Sequence, residues 1–210
     1  MRSFGTVFPG DFLEGYQAGV MQYRYRGLRC LRSPVDMAIQ TRAIWDLQPA
    51  TLIEIGSHSG GGALWLADTA RAYGLKAHVF SVDLAPPQIV DPDVTFLQGD
   101  VLALDAVFAE HGLGMCPRPW FVIEDSAHTY EGCLAALNFL SGQMQTGDLL
   151  VMEDGVLDEL GLSERYQGGP NRAIAEFLTA RPETFEIDTA LCDMFGRNAT
   201  YAPNGYLRKT

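Results

Sequence analysis

The sequence predicts an α/β fold of the Rossmann-like kind, a mostly parallel seven-stranded sheet with helices on both faces. Three observations lead there. The apolar run Thr51–Ile55 stops at a glycine-rich turn, after which apolar residues recur at helical spacing. From residue 51 onward, strand and helix patterns alternate with short connections, as parallel strands joined by right-handed crossovers require. Acids also stand just past the strand ends, at Asp83, Asp100, Asp125, Glu153 and Asp154, where open parallel sheets take ligands.

In chain order, residues 1–33 are rich in glycine and aromatics (Phe4, Phe8, Phe12, Tyr16, Tyr23, Tyr25) and show no clear period. We expect an irregular N-terminal segment that covers a ligand, contacts another subunit or adds a layer of core. Residues 34–210 read as one domain. Pro34 opens a helix over 34–47, proline being suited to a first helical turn, and Pro49 ends it. Strands are expected at 51–55, 76–82, 94–97, 120–123, 148–152, 184–187 and 206–208. Helices are expected at about 60–73, 104–111, 129–142 and 172–180. Pro86 and Pro87 break the loop after the second strand. No internal repeat or linker interrupts the series.

At 210 residues the chain supports one sizeable core. Its formal charge of −11 argues against nucleic acid, which is bound through clustered Lys and Arg. Cys30, Cys116, Cys133 and Cys192 are scattered without C-x-x-C spacing, so neither zinc nor a disulfide framework is suggested. The N-terminus leads into no apolar h-region and no run approaches spanning length. A soluble cytoplasmic protein with a small-molecule substrate and no membrane partner is expected.

The turn Glu54-Ile55-Gly56-Ser57-His58-Ser59-Gly60-Gly61 sets the cofactor. A dinucleotide fingerprint needs a second glycine where His58 stands, and a P-loop needs a Lys-Ser/Thr pair that does not follow. An E-x-G-x-x-x-G-G turn with an acid ending the next strand suits S-adenosylmethionine, which has a ribose to bind and no phosphate to neutralise. Glu54, Gly56, Ser57, His58, Ser59 and Gly60 would cradle it, with Asp83 as the ribose carboxylate.

Asp125 follows the fourth strand and the Glu153-Asp154 pair follows the fifth. On neighbouring strands, about 5 Å apart, three carboxylates would converge and repel unless a hard cation such as Mg²⁺ joined them. The alternative is that these acids cap the following helices. Consecutive strand side chains point to opposite faces, so Glu153 and Asp154 share an ion only if the strand is already turning, which Gly155 permits. His128, three residues beyond Asp125, is placed to take the proton of a substrate hydroxyl, with Asp125 holding the ion beside it.

The turn, Asp125-Ser126-Ala127-His128, Glu153-Asp154 and Pro203-Asn204-Gly205-Tyr206-Leu207 together resemble the cephalosporin hydroxylase family, which contains sugar O-methyltransferases of natural-product pathways. The resemblance runs from about Pro34 to the C-terminus. It implies a class I S-adenosylmethionine methyltransferase fold, Mg²⁺ held by Asp125, Glu153 and Asp154, and homo-oligomers. It also implies that Gln40, Gly56, Ser57, Ser59, Asp83 and Asp100 surround the cofactor. Two other readings stay open. One is a metal-dependent hydroxylase, although no 2-His-1-carboxylate triad is visible; the other is a non-catalytic protein that keeps the cofactor fold.

Overall fold

Turn chemistry places the element boundaries in the structure, a computed structural model that describes residues 2–210. The N-terminal segment is ordered as a helix, α1 (Gly10–Val20), and a short hairpin of β1 (Arg24–Tyr25) and β2 (Leu28–Arg29). This departs from the irregular segment expected. Leu13, Tyr16 and Val20 do carry a helical spacing, but Gly10, Gly15 and Gly19 dilute it, and Pro9 at the N-cap offers no side-chain oxygen.

Next comes α2 (Pro34–Leu47), capped by the Ser33 hydroxyl, which accepts from the Asp36 N–H at 3.3 Å. The alternation then runs β3 (Thr51–Ile55), α3 (Gly61–Ala72), β4 (His78–Asp83), β5 (Val94–Gln98), α4 (Leu104–His111) and β6 (Trp120–Glu124). It continues through α5 (Tyr130–Gln143), β7 (Leu149–Met152) and α6 (Gly169–Ala180), and closes with β8 (Phe185–Ile187), the short α7 (Thr189–Cys192) and β9 (Tyr206–Lys209). All seven expected strands form one sheet in the order β5-β4-β3-β6-β7-β9-β8. The first five are mutually parallel, and β9 runs antiparallel to both β7 and β8.

Side-chain alternation divides the core between the two sheet faces. Leu52, Val79, Phe121 and Val151 pack with Ile39 and Ile44 of α2 and Leu66 of α3. Ile53, Val82, Val122 and Leu150 pack on the other face with Phe108, Leu137 and Ile174, from α4, α5 and α6. Both faces are apolar because the parallel strands are covered on both sides.

Residues 2–33 lie directly on this domain. The Tyr25 hydroxyl donates to Asp68 at 2.9 Å, and the Val35 N–H donates to the Tyr16 hydroxyl at 3.1 Å. No helix among the described residues is long and apolar enough to cross a membrane.

One buried acid fastens α2 to the closing loop. Asp36 is fully buried and accepts from the Thr200 hydroxyl, the Tyr201 N–H at 2.8 Å and the Tyr206 hydroxyl at 3.0 Å. Burial pushes its carboxyl above the usual range, against those donors. Asp36→Ala orphans three buried donors. It should lower unfolding stability by about 3 kcal/mol, read from denaturant curves of parent and variant.

Candidate active site

At the carboxyl ends of β3, β4, β6 and β7 the sheet opens into a cleft of about 470 Å³. Its corner is the turn after β3. Gly56 takes φ 106°, a conformation that favours glycine, and a Cβ there would collide with the Asp125 carbonyl. The glycine therefore lets the β3 and β6 ends touch, which sets Asp125 beside the turn.

Nine of the residues expected from sequence line this cleft. Glu54, Gly56, Ser57 and His58 come from the corner, Asp83 and Asp100 from the ends of β4 and β5, and Asp125, His128 and Asp154 from the far side. Asp83 is held in place by two backbone amides, accepting from His58 N–H at 2.9 Å and Ala85 N–H at 3.0 Å. Asp100 caps the turn that follows it, accepting from Leu102 N–H at 2.9 Å.

The other four lie elsewhere in this structure. The Ser59 hydroxyl turns onto His58 Nδ1 at 2.8 Å. The α-carbon of Gly60 faces Pro87, Ile89 and Phe96 of the loop after β4. Gln40 is fully buried beneath the floor and donates through Nε2 to Glu153 Oε1 at 2.5 Å. Glu153 is buried with it, so the expected trio of Asp125, Glu153 and Asp154 does not gather as such. The reason is backbone geometry. The chain turns at Asp154 itself, with φ 61°, so Glu153 keeps the inward direction of a strand residue while Asp154 swings into the cleft.

His128 completes the cluster instead. Ligand atoms of Asp125, His128 and Asp154 all lie within 4.8 Å of one another. His128 Nε2 is 3.2 Å from Asp154 Oδ2 and 4.0 Å from Asp125 Oδ1, with the histidine at φ 54°. Helix capping does not account for these acids. The Thr129 hydroxyl caps α5, and Asp154 makes no side-chain cap bond.

Electrostatics follow from the crowding. Burial pushes the Asp125 carboxyl up to about 7, with Arg32 pulling it down and Asp154 adding to the rise. Burial also raises Glu153 well above the carboxylate range, and Asp36 adds to it. For His128, burial disfavours the charged ring, yet Asp154, Asp125 and Glu124 together raise it above its ordinary value.

Arg32 is the functional residue that the sequence did not disclose. Its guanidinium is buried and donates to Gln40 Oε1 at 2.9 Å and to Glu54 Oε1 at 2.8 Å, with Asp125 Oδ2 at 3.6 Å. Nothing in the spacing separates it from Arg24, Arg26 and Arg29 nearby. Glu54 is buried as well, its carboxyl raised by burial and held back by Arg32.

The glycine corner, the acid at the end of β4 and the acid-lined cleft of this sheet define a Rossmann-like methyltransferase. The family model described as rhamnosyl O-methyltransferase/CmcI matches residues 17–210, and the chain belongs to that family. The rhamnosyl O-methyltransferase of Mycobacterium leprae (strain TN) is 32% identical over 190 residues, covering 87% of this chain and 81% of the relative. That of Mycobacterium tuberculosis (strain ATCC 25618 / H37Rv) is 31% identical over 191 residues, covering 87% and 76%. Among solved structures, CmcI with Mg and SAM superposes with a TM-score of 0.70 at 26% identity, over 90% of this chain and 77% of that one. The MycE methyltransferase of the mycinamycin pathway, with Mg, SAH and mycinamycin VI, shares the fold at TM-score 0.54 and 15% identity, over 86% and 52%.

Arg32→Met leaves Glu54 buried without its cation. The metal-free variant should lose about 3–5 kcal/mol of unfolding stability, measured by chemical denaturation against the parent.

Proposed function

We propose that this protein is a Mg²⁺-dependent S-adenosylmethionine O-methyltransferase acting on a hydroxyl of a small molecule, a sugar or other natural-product intermediate. The observation that carries the reading is the convergence of Asp125, Asp154 and His128 beside the glycine corner. Family membership supports it, as do the rhamnosyl substrates named for the mycobacterial relatives and the Mg and SAM named for CmcI.

The residues present fit both groups. Two carboxylates and an imbalance of negative charge suit a hard divalent cation, and the amide-anchored Asp83 suits a ribose diol at the nucleoside end. When bound, the two groups supply an electrophilic methyl and a divalent charge that favours an ionised hydroxyl. Asp125 and Asp154 would hold the ion from the cleft side, and Glu153 backs them from beneath. His128 Nε2, the nitrogen facing the acids, would accept the hydroxyl proton. Val20, Met21, Leu157, Leu162 and Tyr166 line the remaining wall. They give the acceptor an apolar face and exclude water. Positioning and electrostatics carry most of the acceleration.

Cytoplasmic residence, a place in natural-product metabolism and assembly into homo-oligomers complete the proposal. The four free cysteines support the first, and the exposed Val7, Phe12 and Phe195 side chains support the last.

His128→Ala should leave S-adenosylhomocysteine affinity intact while turnover falls on the order of 10²-fold or more. Equal turnover in the two proteins removes His128 as the base. Asp125 titrates from a raised value, so its proton is bound more tightly in the folded metal-free protein than in the unfolded chain. That contribution to stability is present at low pH and is lost as pH rises through about 7. An ion must displace the same proton, so Mg²⁺ affinity should tighten across that range. Proton release should appear as a buffer-dependent heat in calorimetry, and a pH-independent affinity would contradict the assignment of Asp125 as a ligand.

A further inference from the structure

S-adenosylmethionine presents three charges, a sulfonium, an ammonium and a carboxylate. Acids supply the cleft with partners for the first two, since Glu54, Asp83, Asp100, Asp125 and Asp154 all line it. The carboxylate has the opposite need. Brought into this acidic cleft without a cation it would be repelled from several sides.

Only two arginines and no lysine line the cleft among the described residues, Arg29 and Arg32. Arg32 is committed to Glu54, Gln40 and Asp125 and is buried. Arg29 is exposed at the rim, and among the described residues no acid pairs with it. Its position in the fold is fixed. The Arg29 carbonyl stands against Gly61, the first residue of α3, so closely that a Cβ on that glycine would collide with it. The residue after it, Cys30, is buried against the same glycine. The segment Arg29–Arg32 therefore runs from the start of α3 to the acidic floor, where Arg32 meets Glu54 and Asp125. The amino end of α3, with its unpaired N–H groups, adds positive potential on the same side.

We propose that Arg29 is the binding residue for the α-carboxylate of the methionine portion of S-adenosylmethionine. The inference rests on the methyltransferase reading of the cleft. The guanidinium presents a planar fork that matches a carboxylate, and its free state at the rim lets it reach the ligand without breaking an existing pair.

Calorimetry with two ligands tests it without any turnover. S-adenosylhomocysteine carries the amino-acid portion and 5′-methylthioadenosine lacks it. The parent should bind S-adenosylhomocysteine more tightly than 5′-methylthioadenosine. Arg29→Met should weaken S-adenosylhomocysteine by about 10- to 100-fold, the loss of one charge-assisted pair, and leave 5′-methylthioadenosine unchanged. Arg29→Lys, which keeps the charge and loses the fork, should fall between. Added salt should weaken S-adenosylhomocysteine in the parent more than in Arg29→Met. Equal S-adenosylhomocysteine affinity in parent and Arg29→Met overturns the assignment and leaves the methyltransferase reading standing. A parallel loss for both ligands overturns it too, because Arg29 would then act on the nucleoside. If the parent binds neither ligand, the methyltransferase reading and this inference fall together.

Discussion

Five acidic side chains, Asp36, Glu54, Asp125, Glu153 and Asp154, gather around the carboxyl ends of β3, β6 and β7 and the start of α2. At an effective dielectric of about 20, two like charges about 4 Å apart repel by about 4 kcal/mol, so a group of this kind cannot form undefended. Its internal defence is Arg32, which touches Glu54 and Gln40, stands 3.6 Å from Asp125 and reaches Glu153 through Gln40. Burial raises the Asp125 and Glu153 carboxyls, and the one buried cation offsets only part of that rise.

Backbone strain divides the labour among these acids. Asp154 and His128 both occupy left-handed conformations that side chains other than glycine adopt rarely. Such positions persist where surrounding structure over-determines them, and they concentrate where geometry serves chemistry. Here the turn at Asp154 sends two sequence neighbours to opposite sides of the floor, one into the cleft and one onto Gln40.

Much of this was legible in the chain. Strands were visible because a sheet covered on both faces needs continuous apolar runs such as Thr51–Ile55, and the turns because glycine and proline have few other uses there. Asp125, His128 and Asp154 could be placed together because topology alone brings adjacent strand ends to one mouth. The misses have physical causes of the same order. Three glycines obscured α1, since helical period is read from side chains. The separation of Glu153 from Asp154 depends on one φ angle that residue type does not fix. Arg29 and Arg32 lie among several arginines, and only the packing of β2 on α3 and the burial of Glu54 distinguish them.

The position of Arg32 in the chain has a consequence for how the molecule comes together. The guanidinium that neutralises the floor belongs to the segment before α2, two residues ahead of Pro34 where the sheet domain begins by sequence pattern. A polypeptide trimmed at that apparent border would inherit the acids and forfeit their cation. The N-terminal stretch is thus an integral electrostatic strut of the domain it precedes. Its docking delivers the guanidinium that Glu54, Gln40 and Asp125 share.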